Sequence, residues 1–283
     1  MDVPLWEVRR IVQLALDEDL GWGDITTQAL IDASWTARGL IIAKEDGVLC
    51  GVDVVEQVFK LLDPDLRVEK YEQDGAKIYN GRTVVYVHGC AASILQGERV
   101  ALNFLQRMSG IATETHRYVE AARESKVRIV ETRKTTPGLR ILEKYAVRVG
   151  GGFNHRYNLS DAILIKDNHL AALRAHNKNL GEIIAWAQQK SAHTITVEVE
   201  TESPEEAEMA AAAGADTVML DNMTLDEMRR AVGLVNGRCL LEASGGVRLD
   251  TVGDIAATGV DIISVGALTH STKSLDFSLD FSI

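Results

Sequence analysis

The sequence predicts an α/β protein in two parts: an α+β unit over residues 1–110 and a β/α barrel over residues 111–270, with the tail 271–283 returning to the first part. Three observations predict it. From residue 127 onward, short β-branched runs alternate with amphipathic helical stretches. Most of those runs are apolar throughout, which means parallel pairing with both faces covered. Nearly every run also ends in residues able to bind a ligand, as strands converging on one barrel mouth would supply.

Taken in order, residues 5–17 read as a helix that runs into EDLGWGDITT (18–27). ARGLIIAKE (37–45) and TVVYVHG (83–89) read as strands, with VDVVEQVFKLL (52–62) as a helix between them. Residues 98–125 read as one or two helices leading into the barrel. Its strands are VRIVE (127–131), AILI (162–165), TITVEV (194–199), TVML (217–220), CLLEA (239–243) and DIISV (261–265). Between them, Ser203-Pro204-Glu205-Glu206 gives a cap with a first-turn proline, Thr224 with Glu227 makes a capping box, and Gly214 stops a helix. The tail LDFSLDFSI (275–283) alternates like a strand. An open doubly wound sheet would bring together only the strand ends beside its switch point. Six strands are legible where a closed barrel has eight, so the barrel is incomplete or holds strands the pattern does not reveal.

The chain has 283 residues, 46% hydrophobic and 25% charged, enough for a sizeable ordered core. Its net charge of -11 argues against general binding to nucleic acid or acidic membranes. Yet Arg128 to Lys178 holds ten Lys or Arg against four Asp or Glu, a basic island suited to a small anionic ligand. The start, MDVPLWEVRRIVQLAL, has acids among its apolar residues and no basic leader, so no signal peptide is expected. No apolar run reaches the ~18 residues of a membrane span. Cys50, Cys90 and Cys239 are odd in number and far apart. They suit a reducing compartment, and a cytoplasmic location is expected.

The chemistry-bearing residues sit at strand ends. TRKTTPG (132–138) sets Thr132, Arg133 and Lys134 after the first barrel strand; arginine forks onto carboxylate or phosphate and lysine adds a point charge. GGGFNHRYN (150–158) lets the backbone approach a ligand closely and ends in His155 and Arg156. His155 alone reads equally well as structural; beside Arg156 it reads as an anion contact. In LIKDNH, Lys166 leaves an apolar strand, where both a Schiff-base role and phosphate binding fit. In TVEVE (196–200), Glu198 and Glu200 share one face and the valines the other. Acids there, joined by Asp221, suit a magnesium-bound or sugar-bearing phosphorylated ligand; for Glu198 the alternative is neutralising buried cations. Ser244-Gly245-Gly246 and Ser264-Val265-Gly266 end successive strands and suit a phosphate cradle of backbone N–H groups, with His270 nearby in sequence. Arg99 and Arg107 lie on the preceding helix, and spacing gives no reason to promote them.

With those residues assembled, the chain resembles quinolinate phosphoribosyltransferases nearly end to end. The likeness rests on EDLGWGDITT (18–27), GERVALNFLQRMSGIAT (97–113), ETRKTTPGLRILEKYAVRVGGGFNHR (131–156), DAILIKDNH (161–169), MLDN (219–222), EASGG (242–246) and VGALTHS (265–271). The resemblance implies an N-terminal α/β sandwich domain and an incomplete, roughly seven-stranded barrel of the type II phosphoribosyltransferase kind. It implies transfer of phosphoribosyl from phosphoribosyl pyrophosphate to quinolinate, with magnesium, giving nicotinate mononucleotide, pyrophosphate and carbon dioxide. It further implies a head-to-tail homodimer, in some members a hexamer. By resemblance, Arg133, Lys134, His155 and Arg156 hold the quinolinate carboxylates, with Arg99 supplied by the neighbouring subunit. Lys166 contacts the phosphates, Glu200 and Asp221 the ribose hydroxyls and metal, and the two glycine loops the 5′-phosphate.

Overall fold

The computed structural model describes residues 3–283, and their contacts group into two compact units. One comprises residues up to 116 with 135–151 and 268–283; the other comprises 117–134 and 152–267. Sequence reading places the division near residue 110 and does not separate the segment 135–151.

In the first unit, β1 (Thr36–Ala43), β2 (Gly47–Val48), β3 (Arg67–Lys70), β4 (Lys77–Ile78) and β5 (Thr83–Cys90) carry the sheet structure. The main sheet runs in the order tail strand, β1, β5, β3, and β2 pairs separately with β4. β1 buries every second residue, Ala37 and Ile41 among them, which is the period-two signature of a one-faced sheet. The helix Leu5–Leu20 buries Val8, Ile11, Val12 and Leu16, and the helix Val52–Leu62 buries Val54, Val55, Val58 and Phe59. Of the one or two helices expected over residues 98–125, one forms: Ala91–Ala121 is a single 31-residue helix. In the same unit the Glu143 carboxylate is 1% exposed and accepts from Arg107, from the Thr136 N–H and from the Thr136 hydroxyl. Arg107 is therefore a half-buried structural arginine paired with a buried acid, and Thr136 of the TRKTTPG motif is held by the same acid.

The second unit holds β6 (Arg128–Val130), β7 (Ile163–Ile165), β8 (Val197–Thr201), β9 (Thr217–Asp221), β10 (Leu240–Ser244) and β11 (Ile262–Ser264). All pairs are parallel, in the order β6-β11-β10-β9-β8-β7. That is a barrel opened between its first and second strands, where only a single bridge, Val130 to Phe153, continues the ladder. All six expected strands are present. The third begins later than TITVEV suggests, because the Ile195 N–H closes a turn onto the Ala192 carbonyl. Ser203 accepts from the Glu206 N–H ahead of Pro204, and Thr224 and Glu227 exchange backbone bonds, so both expected caps form. β12 (Phe277–Ser282) is the tail strand; it pairs antiparallel with β1 from Arg38–Ser282 to Ala43–Phe277, as the alternating tail predicts.

Candidate active site

The C-terminal ends of the barrel strands enclose a cavity of about 640 Å³. Thr132, Arg133, Lys134, His155, Arg156, Lys166, Glu200, Asp221, Ser244, Gly245, Gly246 and Ser264 all line it. The register explains why residues so distant in sequence meet. In β9 and β10, Asp221 lies opposite Ser244; in β8 and β9, Glu200 lies opposite Met219, so Asp221 is two residues beyond.

The cavity is not uniformly cationic. Four Lys or Arg (133, 134, 156, 166) face four acids (Asp167, Glu200, Asp221, Glu242), and the two kinds come from different elements. The cations follow β6, β7 and the 155–156 loop, whereas most acids belong to β8, β9 and β10. Burial first, then the Arg133 charge, pulls the Arg156 pKa below its ordinary value. Crowded cations of this kind are costly alone and well matched to an anion. The Arg133 Nε is buried with no hydrogen-bond partner among the described residues, a donor that a bound carboxylate would satisfy.

Lys166 Nζ lies 3.2 Å from Glu200 Oε1, and the Asp167 N–H donates to Glu200 Oε2. Glu200 is thus fixed between two donors with its carboxylate at the cavity. At the late strands, Ser264 donates to Ser244 at 3.0 Å. The next residue, Gly245, has φ +96°, and a Cβ there would collide with the Asn222 amide, so glycine is required. Gly246 has φ +60° with open space where a Cβ would sit, leaving its backbone accessible.

A buried acidic support lies behind His155 and Arg156. Glu131, fully buried, accepts from the Asn154 side chain at 2.9 Å and from the His155 N–H at 3.2 Å. The His155 Nε2 faces Glu198 at 3.4 Å and Glu242 at 3.5 Å. Burial would lower the His155 pKa, but those two carboxylates outweigh it and raise it to about 10. The Arg156 N–H, however, donates to His155 Nδ1 at 2.7 Å, a bond that only an Nδ1 without a proton accepts. The two observations agree if the extra proton is shared with a carboxylate, and burial indeed raises Glu198. The trio therefore retains one extra proton at neutral pH.

Four candidates do not line the cavity. Arg99 lies in the other unit on the long helix, with its side chain 60% exposed. Val265 is buried and its N–H is committed to the Val130 carbonyl, so it is not available to cradle a phosphate. Gly266 and His270 are also absent from the lining. Sequence reasoning passed over Glu242, which lines the cavity from within an apolar strand; an acid in such a run was the signal that could have found it.

Family models for quinolinate phosphoribosyl transferase match this chain over residues 24–109 (N-terminal domain) and 111–280 (C-terminal domain). The chain belongs to the quinolinate phosphoribosyltransferase family. It is 42% identical to the probable nicotinate-nucleotide pyrophosphorylase [carboxylating] of Bacillus subtilis, covering 98% of this chain and 94% of that protein. It is 44% identical to quinolinate phosphoribosyltransferase [decarboxylating] 2, mitochondrial, of Nicotiana glauca, covering 98% and 82%. Among solved structures, NadC from Streptococcus pyogenes superposes with a TM-score of 0.95 at 44% identity, covering 100% and 99%. For this family's reaction the lining offers cations, acids and open glycine backbone together. No helix among the described residues is long and apolar enough to cross a membrane.

Proposed function

We infer that this chain transfers phosphoribosyl from phosphoribosyl pyrophosphate to quinolinate, with loss of one carboxylate as carbon dioxide. The products are nicotinate mononucleotide and pyrophosphate. The observation that carries the reading is one cavity lined by a cation set from the early strand ends, acids from the middle ones and serine-glycine backbone from the late ones. Arg133, Lys134 and Arg156 form a clamp for the two quinolinate carboxylates, with His155 beside them. Gly245 and Gly246, with Ser244 and Ser264, receive the 5′-phosphate. Between them, Glu200 and Asp221 meet the ribose. As pyrophosphate departs, the ribosyl centre gains oxocarbenium character, which adjacent carboxylates stabilise. Lys166, held by Glu200, neutralises the leaving phosphates. The reaction needs no protein nucleophile, so Lys166 has no covalent role.

Glu200 and Asp221 are hard oxygen donors on adjacent strands at the cavity, a donor set that fits magnesium. They would hold it, and it would supply charge neutralisation for the diphosphate. Arg99, exposed on its own chain, would complete the clamp of a second copy in a homodimer.

The test is stoichiometry. Quinolinate labelled in its carboxylates should release carbon dioxide only when phosphoribosyl pyrophosphate is present, one per nicotinate mononucleotide formed. Turnover of nicotinate without carbon dioxide would refute the reading.

A further inference from the structure

We propose that Glu198 and Glu242 are positioning residues for the substrate clamp: together they fix the His155 ring, and through it the backbone of Arg156, at the cavity wall. The inference rests on the reading of Arg156 as a carboxylate contact and adds what holds it in place.

The geometry makes a short chain of contacts. Glu198 on β8 and Glu242 on β10 approach His155 Nε2 from two strands, at 3.4 and 3.5 Å. The opposite ring nitrogen, Nδ1, accepts from the Arg156 N–H at 2.7 Å. Arg156 then donates from Nη1 to the Ala162 carbonyl at 3.0 Å, and the residue lines the cavity. A ring pinned at both nitrogens sets the backbone at 155–156, and so the direction in which the guanidinium leaves it. Because Nδ1 is engaged as an acceptor, the Nε2 proton stays on the ring, and a metal ion bridging the trio is disfavoured.

The arrangement is more expensive than a structural brace requires. Two carboxylates meet one imidazole, both residues are at least nine-tenths buried, and Oε1 of each has no hydrogen-bond partner among the described residues. Like charges this close repel, and each buried unpaired oxygen adds a desolvation cost. One well-paired acid would hold the ring at lower cost. Two acids from different strands fix its plane as well as its position, and this matters where a misplaced contact weakens substrate orientation.

That excess gives an experiment in which a structural role and a positioning role diverge. Glu242→Gln is isosteric, keeps an oxygen toward the ring and removes one of the two like charges. Its melting temperature should be unchanged or higher. Its quinolinate KM should rise about tenfold, with the phosphoribosyl pyrophosphate KM within about twofold of the starting enzyme. Glu198→Gln, the second variant, should behave alike. Unchanged or lower quinolinate KM in both variants overturns the proposal. So does an equal rise in both KM values, or a lower melting temperature in both. Arg156→Ala is the control. If it raises the quinolinate KM while the glutamine variants do not, only this inference fails. If it leaves that KM unchanged, the clamp reading fails and the inference with it.

Discussion

His155 is one side chain with three claims on it: two carboxylates at Nε2, a backbone N–H at Nδ1, and the cavity beside it. The carboxylates raise its pKa from 6.5 to about 10. A group raised on folding stabilises in full below its unfolded value and loses that contribution as the pH climbs through its folded one. The stability difference between the starting protein and His155→Gln should therefore be constant below about pH 6.5 and shrink steadily toward pH 10. Denaturant melts across that range measure it; a difference that grows with pH would contradict the assignment. The residues legible in the sequence were those beyond strand ends, where a Lys or Arg after an apolar run has few structural uses. An acid inside CLLEA marks Glu242 as unusual, but its role is not legible there, because it comes from His155, 87 positions earlier, and from Glu198 on another strand. Arg107 differs from Arg99 through Glu143 and the carbonyls of Thr269 and Thr272, which spacing along a helix does not reveal.

The elements were more legible than their endings. Six apolar runs became six parallel strands, since burial on both faces leaves a strong signal. β3 and the two-residue strands β2 and β4 are too short or too exposed to leave one. The sequence leaves open whether residues 98–125 form one helix or two; Ala91–Ala121 is continuous, and Gly110 within it shows why glycine is there. A Cβ at 110 would overlap the carbonyl oxygen of Lys273 and press on Ser274, both backbone. Helix propensity favours alanine by about 1 kcal/mol, but the approach of backbone to backbone outweighs it. Gly110→Ala should lower stability by about 1–3 kcal/mol, read from the urea midpoint at unchanged slope. Stabilisation instead would mean that the tail shifts freely from the helix.

At the scale of the whole molecule, an acidic chain sets four cations in one cavity, most of them on different elements from the acids that share it. The proposed homodimer adds Arg99 from a second copy. Its test is complementation: Arg99→Ala and Lys166→Ala should each be nearly inactive, yet co-expression should restore activity to about one quarter, because half of the dimers carry one intact site. No recovery would place Arg99 in its own subunit's site, and an active Arg99→Ala would place it outside any site. The central claim is that clamp and cradle occupy different strand ends of the same cavity, with Arg133 in the clamp. The KM values of Arg133→Ala for both substrates test it most directly. The account predicts a rise of tenfold or more, roughly 1.5–3 kcal/mol, for quinolinate and little change for phosphoribosyl pyrophosphate. An equal rise for both would contradict it.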